Sequence, residues 1–272
     1  MLSAALRDLR LYRRLIGLQL RVQAQYKSNL ATDIATYFLV TSLEFAVVPL
    51  VFAAFPTLLG WSMGEVALVY ALTSLSFGLA ELFGGGIDAF DESIRRGDFD
   101  RVLLRPAGAL LQIAASEFRL RRLGRLTEGA LVLLFALHLL PHLRWTSLKL
   151  ALLPLGALSG AVVFDAVMLL GATMCFWTVQ TSELTNILTY GGREMLSWPL
   201  DIYNRTLQRV FLFVVPLAFA SYLPACYLLD RPLPFGVPGA VAFAAPLIAL
   251  AAAVGAVRVW SFGVRHYQST GS

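Results

Sequence analysis

The stretch EVALVYALTSLSFGLAELFGGGIDAFDESIRRGDFDRVLLRPAG, residues 65–108, joins two opposite kinds of chain. Residues 65–87 carry only Glu65 and Glu81 as charges. About 20 apolar residues cross the roughly 30 Å hydrocarbon core of a bilayer as a helix, so this run is long enough to span one. Residues 90–108 then gather four Arg and four acidic residues, and Pro106 follows the last Arg. An apolar run beside a densely charged one reads as a membrane span handing over to a water-facing loop.

The rest of the chain repeats that pattern. Of 272 residues, 58% are hydrophobic and only 14% charged, against about 25% charged in soluble domains. The fold class expected is an all-α integral membrane protein. Six spans are predicted at about 30–55, 65–87, 124–141, 150–178, 209–229 and 238–261, forming one membrane domain over 1–272. Residues 2–27 place Leu11, Leu15, Leu18 and Val22 at helical spacing among Arg7, Arg10, Arg13, Arg14 and Arg21. That mixture lacks the uninterrupted apolar core of a signal peptide and predicts an amphipathic helix lying on the membrane surface.

Net charge is +5, from twenty Arg and only Lys27 and Lys149. Flanking basic residues of membrane spans account for this excess without nucleic acid. With six spans and a cytoplasmic N-terminus, nineteen basic residues fall on the cytoplasmic side and Arg144, Lys149 and Arg231 on the other. Both termini are therefore predicted to be cytoplasmic. The cytoplasmic loops are 88–123 and 181–208. Cys175 and Cys226 fall near opposite faces, so no disulfide is expected.

Several chemistries lack their residues. No GxxxxGK[ST] occurs, so no P-loop is present. No HExxH or Cys/His cluster offers a metal site. GALSG, 156–160, misses the GxSxG spacing of a hydrolase elbow, and its Ser159 reads as a helix-packing residue. His138 and His142 read as a polar rim.

Carboxylates inside spans are costly, by roughly 2.5–3.5 kcal/mol at the bilayer centre. Glu44, Glu81 and Asp165 are thus expected to face a bundle interior, a partner or a translocation path. Pro216 and Pro224 in the fifth predicted span are candidate kinks that could shape a gate.

In the charged stretch, Asp91/Arg95 and Glu92/Arg96 stand at i,i+4, which supports a short helix. Gly97 can end that helix, and Pro106 suits the first turn of another. Acids contribute little to orientation, so four of them among four Arg suggest a docking surface. Phe90, Ile94 and Phe99 are expected to plug a groove on a soluble partner. Asp91, Glu92, Arg95, Arg96, Asp98, Asp100 and Arg101 would set its register.

Three motifs carry a family likeness: IRRGDFDRVLLRPAG (94–108), WPLDIYNRTLQRVFLFVVPLAFASYLPACYLLDR (198–231) and WSFGVRHYQSTGS (260–272). With them the chain resembles the membrane subunits of type 2 ABC exporters, in the short six-span bacterial branch without a fused ATPase domain. Its WPLDIYN step departs from the Tyr-Pro often found there. The resemblance implies a permease in the bacterial inner membrane, paired with an identical or sibling protomer over cytoplasmic ATPase subunits. ATP and magnesium would bind those subunits and no cofactor this chain. It also implies that Phe90–Arg101 is the ATPase-coupling element. The other readings are an ion-gradient transporter using Glu44 and Asp165, and a membrane-embedded hydrolase or transferase.

Overall fold

The computed structural model describes residues 2–178 and 186–267, with side chains from Arg10 onward. Arg7, Thr181–Thr185 of the second expected loop and the last residues of the C-terminal motif lie outside the described side chains or residues. Every regular element described is helical. They are α1 Leu2–Gln25, α2 Lys27–Ala54, α3 Met63–Asp88, α4 Phe90–Arg95, α5 Asp98–Leu103, α6 Ala109–Ala114, α7 Leu123–Leu139 and α8 Ser147–Met174. There follow α9 Gly192–Leu196, α10 Arg205–Arg209, α11 Tyr222–Leu228 and α12 Ala245–His266.

Among the described residues, four helical stretches are long and apolar enough to cross a membrane: Lys27–Ala54, Met63–Arg95, Ser147–Met174 and Gly239–His266. They match the first, second, fourth and sixth expected spans. The third, α7, has 17 residues, one turn or so short of a typical span. The most apolar window of α3 is 83% buried, against 11% for α2. Helix α3 is thus the central post, packed on α7 and α8; α8 packs in turn on α12.

Both ends of the bundle are closed by polar side chains. At the start of α3, Ser62 Oγ accepts from Glu65 N, and Ser62 N donates to Glu65 Oε2 at 2.7 Å, a reciprocal capping box. Arg231 donates to both Glu65 oxygens at 2.8 and 2.9 Å and lies 4.2 Å from the Trp61 ring centroid. The Glu65 contact holds the Arg231 guanidinium above its ordinary pKa. Lys149 Nζ donates to Leu228 O and Asp230 Oδ2, each at 2.7 Å. At the opposite end lie Asp88, the α4–α6 segment and the end of α12.

The region after α8 departs from expectation. Tyr190 donates to Asp88 Oδ2 at 2.9 Å, near one end of the bundle. Leu196 O accepts from Thr73, about 15 Å into α3 at 1.5 Å per residue. Asp201 accepts from Trp61 Nε1 at 3.0 Å, at the other end. Residues 187–203, expected within a cytoplasmic loop, therefore run along the bundle from the Asp88 end to the Trp61 end.

The stretch expected as the fifth span, 209–229, with candidate kinks at Pro216 and Pro224, bends by 79° between Arg205–Val214 and Leu217–Leu228. Arg205 and Arg209 stack on Phe235 at the Trp61 end. The chain dips until Ala220 O accepts from Ser76 Oγ, roughly 20 Å into α3, and returns to Lys149 at Leu228. Both limbs leave from the same end. Pro216 sits at the break. Pro224 is the third residue of α11, where its missing N–H removes no intrahelical bond, so it produces no kink.

Candidate functional site

Helices α4 and α5 form the charged segment. Asp91 pairs with Arg95 at 2.7 Å, Glu92 pairs with Arg96, and Asp98 lies 3.6 Å from Arg101. Gly97 between them adopts φ 71°, the left-handed region that favours glycine. The short helix ended at Gly97 is as expected, but the next helix begins at Asp98 and not at Pro106, which lies between α5 and α6.

The expectation for its apolar side chains is not. Phe90, Ile94 and Phe99 are buried inside this chain. Phe90 and Phe99 pack edge to face, ring centroids 5.1 Å apart. Phe90 meets Trp260 at 4.9 Å and Phe99 meets Tyr267 at 5.0 Å, with Phe176 against both. Their groove is internal, made by the ends of α8 and α12. What remains outward is Glu92, Arg95, Arg96, Arg101 and Leu103, with Leu104 86% exposed. Sequence reasoning missed Leu103 and Leu104. Two leucines next to Arg105-Pro106 were the available signal.

The segment is held from a second side by α1. Gln19 Oε1 accepts from Phe118 N at 2.5 Å while its Nε2 donates to Ala115 O at 2.6 Å. One turn on, Gln23 Oε1 accepts from Leu120 N at 2.9 Å and its Nε2 donates to Phe118 O. Two amides at i,i+4 thus satisfy a stretch of irregular backbone.

Glu44 and Glu81 belong to a buried charge network. Glu81 accepts from Tyr37 at 2.9 Å and Arg125 Nε at 3.1 Å, and pairs with Arg122. Glu44 Oε2 takes Arg193 at 2.8 Å and Arg125 at 3.4 Å. Arg125 and Arg193 also lie over the Phe77 ring. All three Arg are buried. A helical reading places Arg122 and Arg125 on one face of α7's start, which was their signal. Arg193 had none, because its stretch read as loop.

Asp165 is not joined to this network by any hydrogen bond or ion pair among the described residues. Its Oδ1 is buried and unpaired, pressed on Gly84, where a Cβ would come within 2.1 Å. Ser159 is buried on α8 and His138 exposed on α7, with no hydrogen bond between them. No group of three metal-ligating side chains occurs among the described residues. Cys175 and Cys226 are buried and not disulfide-bonded to each other.

A helical bundle with several membrane-length apolar helices, a buried ion network and a rigidly mounted charged segment defines a multi-pass membrane protein. The family profile described as ABC-2 family transporter protein matches residues 38–271, and the chain belongs to that family. It is therefore an ABC transporter permease, of a family that is not itself catalytic and generally works with an ATPase subunit. No curated protein and no solved structure matches it.

Proposed function

We propose that the chain is the permease of an ATP-driven bacterial exporter in the inner membrane. It pairs with a second permease protomer and is driven by separate cytoplasmic subunits that bind ATP and magnesium. Six crossings are α2, α3, α7, α8, the run through α9, and α12, with α10–α11 re-entrant from the outside. The Asp88 end is cytoplasmic, since α1 and the α4–α6 segment concentrate basic residues there.

The observation that carries this reading is the mounting of α4–α5. Their aromatic side chains are packed between the ends of α8 and α12, so a push on the outer face moves two crossings at once. Coupling needs such an element with two states. The docking face is then Arg96, Arg101 and Leu104 rather than Phe90, Ile94 and Phe99.

The test is copurification of the ATPase encoded with this chain. Leu104→Asp with Arg96→Glu should release it, or abolish ATP-dependent export, without lowering the permease's melting temperature. Retained ATPase and export would overturn docking at this face.

Asp165 is the path candidate, because its carboxylate has an unpaired buried oxygen while Glu44 and Glu81 are engaged by Arg. Asp165→Asn should change cargo preference or rate; a change in stability alone would remove it from the path. The same unpaired carboxylate favours a second reading, transport driven by protons, which collapse of the proton gradient with ATP intact would reveal.

A further inference from the structure

Between α1 and the segment from α4 to α6 lies a cleft of about 1020 Å³. Arg10 and Arg14, one turn apart on α1, line one wall; Arg101 and Arg105 line the other. Arg101 has Asp98 at 3.6 Å. Among the described residues, no carboxylate lies within ion-pair distance of Arg10, Arg14 or Arg105. Among the described residues, four exposed arginines line this cleft with one acid, Asp98, and that excess of positive charge attracts an anion. Guanidinium geometry suits phosphate.

Gln112, another residue of the wall, is 7% exposed and its Nε2 donates to Val102 O and Ala107 O, which holds that wall in place. The cleft wall also carries Leu11, Leu15 and Ile113, an apolar surface beside the arginines. On the same helix, Leu18 and Val22 are 56% and 59% exposed, as in a helix half-immersed in lipid.

We propose that this cleft binds the headgroup of an anionic phospholipid from the cytoplasmic leaflet. Arg10, Arg14, Arg101 and Arg105 hold the phosphate. The lipid bridges α1 and α5, and so ties the docking segment to the membrane surface. This rests on the bilayer placement of the Asp88 end but not on ATPase docking, which the copurification above tests separately.

The test uses the full chain in neutral detergent, with dioctanoyl phosphatidylglycerol as probe, read by native mass spectrometry and melting temperature. Phosphatidylglycerol should bind and raise the melting temperature, and dioctanoyl phosphatidylcholine should do neither. Arg10→Ala/Arg14→Ala/Arg105→Ala should weaken phosphatidylglycerol binding at least tenfold. Arg21→Ala, on an exposed arginine outside the cleft, should leave it unchanged. The single variant Arg105→Ala, in an exposed loop, should lose several-fold and stands in if the triple variant does not fold. Equal binding of phosphatidylcholine, or retained binding in the variants, overturns the site. Equal protection by glycerol phosphate or inorganic phosphate overturns the lipid as its source.

Discussion

Gly86 sets how closely α3 and the end of α6 approach. A Cβ there would stand 1.9 Å from Ile113 O and 2.6 Å from Ser116 Oγ. Alanine normally improves a helix interior over glycine by about 1 kcal/mol, but here it must displace backbone. Gly86→Ala is expected to cost about 1–3 kcal/mol. Gly191, with helical φ −63° and nothing within 4 Å of its Cβ position, should show the opposite sign. Labelling of buried Cys175 and Cys226 by a thiol dye on heating measures both; a stabilised Gly86→Ala would contradict the close approach. Glu81 makes the companion case. It is 1% exposed and holds Arg122 and Arg125, whereas the Glu44 side chain is 33% exposed. Removing one member of a buried pair costs about 3–5 kcal/mol, so Glu81→Gln should lower the melting temperature well beyond Glu44→Gln. Equal effects would mean that burial does not rank the two. The cost of these carboxylates could be read from their place in apolar runs. Their partners could not, since Arg122 and Arg125 sit where loop becomes helix.

At the scale of elements, spacing alone located the short helix of 90–95 and its end at Gly97, but not the helix over 98–103. It did not say what covers Phe90 and Phe99, because a six-residue helix shows which side chains share a face and not whose groove that face enters. The answer lay in Phe176, Trp260 and Tyr267, some eighty and more than one hundred and sixty residues further along the chain. Phe99→Ala should therefore destabilise the permease itself, by about 3–5 kcal/mol for a buried Phe, and lower its melting temperature even without an ATPase present. An unaltered melt would place Phe99 back on a partner-facing surface. The α1 clamp is local in a different sense. Phe118 N and Leu120 N donate to the side chains of Gln19 and Gln23. Gln19→Ala/Gln23→Ala should leave those two amides without their acceptors and speed their hydrogen exchange, while the α3 interior stays protected. Slow exchange at both in the double variant would show that the glutamines do not hold the loop.

Across the whole molecule, hydropathy located the four long apolar helices and read as loop a stretch that runs along the bundle. Residues 187–203 carry Arg193, Glu194 and Pro199 and so resemble a loop, yet Arg193 is buried against Glu44 while Glu194 stays exposed. Residues 205–228 are apolar enough for a span, but they turn back at Pro216; residues 217–226 are buried against α3 and α8, while Phe213 and Val214 of the first limb stay exposed. Burial inside protein explains the second limb's composition without contact with lipid. The two layouts put Arg205 on opposite sides of the membrane. With Cys175 and Cys226 replaced by Ala, single cysteines at Arg205, Phe235 and Arg101 can be probed on intact cells with an impermeant maleimide. The re-entrant layout expects Arg205→Cys and Phe235→Cys to label from outside and Arg101→Cys only after lysis. A single crossing over 209–229 instead expects Arg205→Cys to behave like Arg101→Cys, and that result would return 187–203 to the cytoplasmic side.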